Sequence, residues 1–592
     1  MTRATSWRRT AGHAVRFIVA AAGVASLSTV PAIALAQPNV NGVWHGVLST
    51  PGARLTLVFT FREGPGGGRT GEVESIDQGP GAMPLDQVVL AGRHLTFAIP
   101  SIGATVDAAW NDGTQSWSGT YRQGAQLPLV LVRGAPPSTG AVEGMEGVWR
   151  ATLQRGAAAL RLILHVWSTP YGSRASLDSP DMMAMGMQVD DFGRSGDSVR
   201  FHVPLSGVRY NATLDPAVTA MSGTWAREGQ PVVQVRFARD SATTPLRART
   251  QWPVVPNGYL AEEVSFANPN DAKVTLAGTL TLPDGAGPFP AVVLITGSGA
   301  QDRDETIFGH KPFAVLADAL TRRGIAVLRY DDRGFAKSTG QFGSATSVDF
   351  ATDARAAVRY LASRPEIDAR RIGLAGHSEG GMVAPLAAVE DRGVAFVILL
   401  AGPGTRTERL MLAQSRMMGV TQGMSVADLD RREPVLRDIV HAVAASKDST
   451  DAVARVRKLL TDERLTTLGV TSGERDPLVG QWTSRWMRYF LAYDPAPALA
   501  RLRVPVLAIG GSLDVQVPAA ENLAAIRAAL RRNPDATVRE LPGLNHFFQT
   551  ATTGAVGEYE GIAETFAPAA MALVGEWIVQ RFGGGVHHAT SR

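Results

Sequence analysis

Two patterns of apolar and polar residues divide this chain. Between residues 39 and 239 the apolar positions recur every second residue in short runs, and Gly, Pro, Asp and Asn separate the runs. This pattern is typical of antiparallel β-strands. From residue 259 onward, apolar runs of strand length alternate with longer runs of helical period, which predicts a mostly parallel sheet with helices on both faces.

The β-rich part contains two copies of one unit. Gly42-Val43-Trp44 is matched 105 positions later by Gly147-Val148-Trp149, and Ser118-Gly119-Thr120-Tyr121 is matched 104 positions later by Ser222-Gly223-Thr224-Trp225. Two further pairs of blocks keep these offsets: Leu55–Phe59 with Leu160–Leu164, and Leu95–Pro100 with Val199–Pro204. An offset that holds across four blocks indicates a repeat of several short strands.

We therefore predict an all-β amino-terminal region made of two repeats, at residues 37–140 and 141–240, and a proline-punctuated linker at 241–258. Each repeat is consistent with a small barrel or sandwich, and the two together with one larger closed sheet. Neither copy holds a cluster of ionisable residues at catalytic or metal-ligand spacing. We expect a packing role for the repeats in preference to substrate binding.

The alternating pattern of strands and helices places a catalytic domain at residues 259–585. An insertion at about 403–502 lacks strand-like runs and is rich in helix formers, so it predicts a helical cap over the site. Its aromatic residues share one helical face, and such a stripe is more often core than ligand cage. These residues are Trp482, Trp486, Tyr489, Phe490 and Tyr493.

Residues 1–36 have the composition of a secretory signal. They carry four arginines and no acid, followed by an apolar run of small residues that ends in Ala34-Leu35-Ala36. We expect cleavage there and an exported protein, periplasmic or secreted, in preference to a membrane anchor. Arg8-Arg9 raises a twin-arginine export route, but the residues that follow are a poor continuation.

Removal of the signal leaves 54 basic against 54 acidic residues. A balanced chain gives no reason to expect nucleic acid or an anionic membrane as a partner, and no membrane span is expected after cleavage. The chain has no cysteine, which excludes disulfides, thiol catalysis and thiolate metal sites. We expect neither a metal nor a cofactor.

Gly376-His377-Ser378-Glu379-Gly380-Gly381 has the pattern of a nucleophile elbow, in which a serine stands on a sharp turn from strand to helix. The pattern alone is moderate evidence, because the chain has 62 glycines. The apolar run 372–375 before it and the helix-like run 382–389 after it supply the required context. Ser378 is therefore the candidate nucleophile.

A serine hydroxyl needs a neighbouring base and a group that orients that base. Asp514 and His546 follow Ser378 in the chain order typical of this fold, and each comes directly after a predicted strand. Both should therefore project from the sheet edge that carries Ser378. His310 is the main rival for the base; Asp494 is expected at a helix end.

The remaining histidines have simpler interpretations. His377 is expected to point away from the base position, and solvated or packing roles suffice for His441, His587 and His588.

An ester oxyanion needs two backbone N–H donors. We expect one from Glu379, the residue after the nucleophile, and the other from Ser298 in the glycine-rich loop 296–300. The carboxylate of Glu379 is expected only to favour the amino end of the following helix.

Several separated motifs resemble the serine aminopeptidase-like (S33-type) branch of the α/β-hydrolases, and more narrowly bacterial carboxylesterases with a β-rich amino-terminal region. The motifs are Thr296-Gly297-Ser298-Gly299-Ala300-Gln301-Asp302-Arg303-Asp304, Tyr330-Asp331-Asp332-Arg333-Gly334, Gly376–Gly381, Asp514 and Asn545-His546. The resemblance covers about residues 259–583 and implies nucleophile, acid and base for Ser378, Asp514 and His546. Phe335 departs from the glycine of many relatives, which affects a turn.

The sequence therefore predicts a serine hydrolase that cleaves small-molecule carboxylic esters through an acyl-enzyme. Two alternatives stay open. The same triad would serve a peptidase or an acyltransferase, and a vestigial hydrolase fold would serve a binding protein. Acyl and alcohol specificity and the oligomeric state do not follow from the residues.

Overall fold

The computed structural model describes residues 38–583, apart from gaps at 51–52, 65–67, 79–80, 103, 124, 139, 156–157, 183, 228–229, 241–250, 254–257 and 471. The predicted signal segment, most of the predicted linker and the two histidines near residue 587 lie outside the described residues. The predictions made for them stay predictions.

The amino-terminal region forms two closed antiparallel barrels of eight strands each. The first barrel comprises β1 (Gly42–Thr50), β2 (Ala53–Glu63), β3 (Arg69–Ser75), β4 (Ala82–Ala91), β5 (His94–Ile99), β6 (Ala104–Asn111), β7 (Ser116–Gln123) and β8 (Ala125–Arg133). The second comprises β9 (Gly147–Arg155), β10 (Ala158–Thr169), β11 (Gly172–Ser179), β12 (Ala184–Ser195), β13 (Ser198–Val203), β14 (Val208–Leu214), β15 (Ala220–Arg227) and β16 (Val233–Arg239). The all-β expectation for this region is confirmed, and each repeat closes its own barrel.

Equivalent tryptophans fill the two barrels in the same way. Trp44 and Trp149 are fully buried. The indole N–H of Trp44 donates to the carbonyl of Val40 at 2.6 Å, and that of Trp149 donates to the carbonyl of Met145 at 2.8 Å. Because a buried indole N–H is costly without an acceptor, both copies supply one four residues upstream.

The repeated Ser-Gly-Thr block marks a close approach between strands. A Cβ at Gly223 would lie 2.1 Å from the carbonyl oxygen of Asn211 on β14, and a Cβ at Gly119 would lie 2.0 Å from that of Asp107 on β6. Only glycine fits at such a separation. The backbones of β7 and β15 therefore depend on these two glycines.

The carboxyl-terminal domain is built on one eight-stranded sheet, in the order β17-β18-β20-β19-β21-β22-β23-β24. Only β18 runs antiparallel to its neighbours, and every other neighbouring pair in the sheet is parallel. This order is that of the α/β-hydrolases, so the expected fold is confirmed. The strands are β17 (Leu260–Ala267), β18 (Thr275–Leu282), β19 (Phe289–Ile295), β20 (Ala326–Tyr330), β21 (Ile367–His377), β22 (Val394–Leu400), β23 (Val506–Gly511) and β24 (Ala536–Leu541).

Helices cover both faces of this sheet, and alternate residues of β19 enter the two cores. The helices are α1 (Pro312–Thr321), α2 (Ser347–Ala362), α3 (Gly380–Ala388), α4 (Thr407–Thr421), α5 (Val426–Ala444), α6 (Ser449–Leu459), α7 (Asp462–Leu468), α8 (Arg475–Trp482), α9 (Arg485–Ala492), α10 (Ala496–Arg501), α11 (Ala519–Ala529) and α12 (Pro568–Phe582). Helices α4 to α10 lie between β22 and β23 in the chain, where the cap was expected. Within the described residues, no helix is both long and apolar enough to cross a membrane.

The second barrel contacts the hydrolase domain beside the carboxyl edge of the sheet. Gln422, next to the end of α4, donates from Nε2 to the carbonyl of Asp181 at 2.8 Å. The Asp181 carboxylate pairs with Arg161, and a Cβ at Gly557 would lie 2.3 Å from that carboxylate. The barrel is thus packed tightly against the 3₁₀ helix Val556–Gly561.

The close approach at Gly223 gives a stability prediction. Gly223→Ala forces the added Cβ against the β14 backbone and should lower the free energy of unfolding by about 1–3 kcal/mol or more. Differential scanning calorimetry would show this as a lower melting temperature of the barrel transition. Gly480→Ala is the matched control, since a Cβ there meets open space within a helix. Equal melting temperatures for Gly223→Ala and the wild type would contradict the prediction.

Candidate active site

Ser378 stands at the turn from β21 to α3 in a conformation that the glycines around it permit. Its φ is 52°, in the left-handed region, and its N–H donates to the carbonyl of Leu400 at 2.9 Å. A Cβ at Gly376 would lie 1.9 Å from the carbonyl oxygen of Gly380, and a Cβ at Gly380 would lie 2.3 Å from that of Ile295. The turn has the sharp, strained geometry of a nucleophile elbow.

Asp514 and His546 meet at the carboxyl edge of the sheet. His546 Nδ1 lies 2.8 Å from Asp514 Oδ2, and both side chains are buried. Asp514 Oδ1 accepts the backbone N–H groups of Gln516 and Val517, each at 2.8 Å. The carboxylate is therefore fixed, and it orients one nitrogen of the imidazole.

The loop that carries His546 is closed by a buried side chain. Asn545 Oδ1 accepts the N–H of Phe547 at 3.1 Å and that of Gln549 at 2.9 Å. Its Nδ2 donates to Gln549 Oε1 at 2.9 Å. The asparagine before the histidine thus determines the backbone path of the loop.

The glycine-rich loop after β19 lies against Ser378. A Cβ at Gly297 would lie 3.2 Å from the Cβ of Ser378. Asp332 holds this loop, because its carboxylate accepts the Thr296 hydroxyl at 2.7 Å and the Gln301 N–H at 2.9 Å. Burial raises the pKa of Asp332 well above its ordinary value, although the Thr296 hydrogen bond opposes this shift.

A second contact joins the same two motifs. The Arg303 guanidinium pairs with the Asp331 carboxylate at 2.8 Å, and the Arg303 N–H donates to it at 2.9 Å. The motifs at 296–304 and 330–334 therefore bind each other. The sequence showed both motifs, but it gave no reason to place their carboxylates under the loop.

The carboxyl group of Glu379 is buried and has specific partners, in addition to the expected position at the amino end of α3. Oε1 accepts the Ser347 hydroxyl at 2.6 Å and the Trp486 indole N–H at 2.8 Å. Burial raises the pKa of Glu379, although hydrogen bonds from Ser347, Trp486 and Ser298 oppose the shift. Its side chain thus joins the elbow to α2 and to the cap.

The contact of Trp486 with Glu379 gives the aromatic stripe of the cap a second role. Trp486 stacks on Phe490 with ring centroids 4.9 Å apart, and Phe490 belongs to the apolar core of the cap. The stripe is therefore largely core, as expected, but its tryptophan also anchors the cap to the residue after the candidate nucleophile.

His377 lies beside the base position, although we expected it to point away. Its ring centroid is 4.7 Å from that of His546, and its Nε2 lies 2.9 Å from the His546 carbonyl oxygen. Its Nδ1 lies 2.8 Å from Glu305 Oε1. The expectation was wrong because β21 extends to His377, which places this side chain under the loop of His546.

The rival candidates have other partners. The ring of His310 is buried between the Thr565 hydroxyl and the Tyr559 carbonyl, each at 2.9 Å. Asp494 accepts the Ala496 N–H at the start of α10, as a helix-end residue does. His441 is exposed on α5. Over the parts of the chain that are described, no group of three or more His, Cys, Asp or Glu residues is placed to hold a metal ion.

An apolar cluster borders His546 on the side of the second barrel. Phe547, Val556 and Tyr559 form it, with Phe308 and Met418 packed against it. Met418 also lines a cavity of about 210 Å³ between α4, α5 and Asp181. The cap therefore contacts the loop of His546 through Met418, and the cavity beside it reaches Asp181 of the second barrel.

One family model matches the hydrolase domain. The family model of the X-Pro dipeptidyl-peptidase (S15 family) matches residues 271–541, which include Ser378 and Asp514 and end before His546. The motifs resembled the serine aminopeptidase-like branch instead, so that branch is not confirmed.

The curated proteins that show sequence similarity include an esterase and an uncharacterized protein. Esterase EstD of Thermotoga maritima is 37% identical over 143 residues, which are 24% of this chain and 34% of EstD. The uncharacterized protein PA2218 of Pseudomonas aeruginosa is 30% identical over 187 residues, which are 31% of this chain and 44% of that protein. The chain thus spans about a third to less than half the length of these relatives.

A solved structure, the esterase Pf2001 of Pyrococcus furiosus, covers 55% of this chain and 92% of its own, with 15% identity and a TM-score of 0.35. The sequence matches and the sheet topology together support an esterase-like α/β-hydrolase.

The raised pKa of Glu379 gives a prediction for stability against pH. The folded state keeps the carboxyl protonated above its ordinary value near 4.5, whereas the unfolded chain ionises there. Stability should therefore fall as pH rises from that value to the raised pKa, and Glu379→Gln should remove this loss.

The difference in melting temperature, variant minus wild type, should grow as pH rises from about 4.5 to the raised pKa and stay level above it. Each kcal/mol of lost unfolding free energy corresponds to about 2–4 °C. Calorimetry of the hydrolase transition measures it. Glu390→Gln, which removes an exposed glutamate, is the control. A difference that is constant or shrinks with pH would contradict the prediction.

Proposed function

We propose that this protein is a serine hydrolase that cleaves carboxylic esters through an acyl-enzyme intermediate. Ser378 is the nucleophile, His546 the general base and Asp514 the group that orients His546. The backbone N–H groups of Glu379 and Ser298 bind the oxyanion. One observation carries the proposal: the buried pair of His546 and Asp514, with 2.8 Å between Nδ1 and Oδ2, on the sheet edge that carries the strained turn at Ser378.

Each step uses an atom whose position is supported by its neighbours. His546 Nδ1 is engaged by Asp514, so Nε2 is the nitrogen that takes the Ser378 proton as Oγ attacks the ester carbonyl. His546 then returns the proton to the leaving alcohol. Water, activated by the same nitrogen, releases the acid and frees Ser378.

The raised pKa of the Glu379 carboxyl group suits this chemistry. Its backbone N–H faces the developing negative charge, and an ionised carboxylate on the same residue would oppose that charge. Burial raises the pKa of its carboxyl and so favours the neutral form. The shift therefore acts in favour of the oxyanion site.

A peptidase is the second candidate, and the match to the X-Pro dipeptidyl-peptidase family favours it. A dipeptidyl-peptidase must bind a substrate ammonium group near the nucleophile. Glu379 is the carboxyl group nearest in sequence to Ser378, but burial favours its neutral form, which binds an ammonium poorly. The similarity to an esterase agrees better with the site. Ester cleavage is therefore the first choice.

A matched pair of chromogenic substrates separates the two candidates. The wild type should hydrolyse p-nitrophenyl butyrate with at least about 100-fold higher kcat/KM than alanyl-prolyl-p-nitroanilide. Ser378→Ala should lower kcat on the ester by at least about 10⁴-fold, because the acyl-enzyme cannot form.

Ser363→Ala is the control, since Ser363 is exposed at the end of α2 and should leave kcat unchanged. Full ester turnover by Ser378→Ala would reject the proposed nucleophile. Turnover of the anilide without the ester would make the peptidase the better description. Absence of both activities from the folded wild type would favour a binding protein with a vestigial site.

A further inference from the structure

A second histidine and carboxylate pair lies directly beside the pair of His546 and Asp514. His377 and Glu305 are both buried, with 2.8 Å between Nδ1 and Oε1. The proposed mechanism makes no use of either side chain. Their other partners connect them to both sides of the site.

Glu305 contacts the glycine-rich loop, and His377 contacts the loop of the base. Glu305 Oε1 accepts the N–H of Gly297 at 2.9 Å, in the residue before Ser298. His377 Nε2 lies 2.9 Å from the carbonyl oxygen of His546 itself. The pair therefore bridges the backbone of the candidate oxyanion loop and the backbone of the candidate base.

The partners determine the protonation of His377. The His546 carbonyl can only accept a hydrogen bond, so Nε2 carries a proton. Glu305 Oε1 accepts the Gly297 N–H, and donation from Nδ1 to the same oxygen makes the ring an imidazolium. Although burial by itself lowers the pKa of His377, the charge and hydrogen bond of Glu305 raise it above the ordinary value.

Glu305 adopts a backbone conformation that a residue with a side chain rarely has. Its φ is 54°, in the left-handed region. Such strain costs free energy and persists only where the surroundings enforce it, which is most common at functional sites. Here the strained residue directs its carboxylate toward His377 and Gly297.

We propose that Glu305 and His377 form a positioning pair, which holds the backbone of the oxyanion loop and of His546 in register with Ser378. The pair is a buried imidazolium and carboxylate with no net charge. It touches neither the substrate nor the reacting atoms. The proposal rests on the proposed function, since it assigns the support of that same site.

The charge of the pair has a consequence for His546. The ionisable groups that face the His377 ring are Glu305, from the loop after β19, and His546 and Asp514, from the loops after β24 and β23. Loss of His377 removes the partner of the Glu305 carboxylate. In that variant the unpaired negative charge favours the protonated form of the neighbouring His546 imidazole.

Three variants test the pair through the pH profile of kcat/KM for p-nitrophenyl butyrate: His377→Gln, Glu305→Gln and the double variant. His377→Gln should lower kcat by about 10- to 100-fold with little change in KM, because a small displacement of the base is costly. Its acid limb should move to higher pH. Glu305→Gln should lower kcat less, without moving the acid limb upward.

The double variant should restore the position of the acid limb, because no unpaired carboxylate is left. Its loss in kcat should be smaller than the product of the two single losses, since the residues act as one unit. His165→Gln is the matched control. It removes another histidine paired with an aspartate, Asp178, in the second barrel, and should leave kcat unchanged.

Melting temperatures identify variants that fold poorly. If His377→Gln does not fold, the Glu305→Gln variant decides the test, because glutamine keeps the shape of the glutamate side chain. The positioning role is overturned if the folded variants keep the wild-type kcat and an unmoved acid limb. It is also overturned if the loss of kcat in the double variant equals the product of the losses in the two single variants. The proposed function fails separately, if the wild type shows no ester hydrolysis that depends on Ser378.

Discussion

The steric constraint at the turn of Ser378 is the feature on which the rest of the site depends. Glycine is required on both sides of the serine, because a Cβ at Gly376 would lie 1.9 Å from the Gly380 carbonyl and a Cβ at Gly380 would lie 2.3 Å from the Ile295 carbonyl. These contacts hold α3 against the end of β19. The serine, the glycine-rich loop and the first turn of the helix are therefore placed by one packing arrangement.

Buried carboxylates then fix the loops around this turn. Asp514, Asp332 and Glu305 each accept at least one backbone N–H from a loop at the carboxyl edge of the sheet. A carboxyl group accepts several hydrogen bonds at once through its two oxygens. Hydrogen bonds to buried carboxyl groups thus orient the candidate base and hold the oxyanion loop. Through His377, they also connect the base and the loop.

The sequence predicted the parts of this arrangement that follow from local pattern. The order of strands and helices, the elbow at Ser378 and the repeated β units all leave periodic or short-range signals. The contacts of His377 and Glu379 leave no such signal in the sequence, because they depend on how far β21 extends and on where α9 of the cap packs. The choice between two barrels and one shared sheet depends on the pairing of β1 with β8, whose sequences lie far apart.

The most direct test of the account is to locate the residue that a fluorophosphonate labels in the full-length protein, by mass spectrometry of its peptides. A single adduct per chain is expected, on Ser378, and no adduct is expected in the Ser378→Ala variant. An adduct on another residue, or no adduct on a folded protein, would contradict the assignment of Ser378 as the nucleophile.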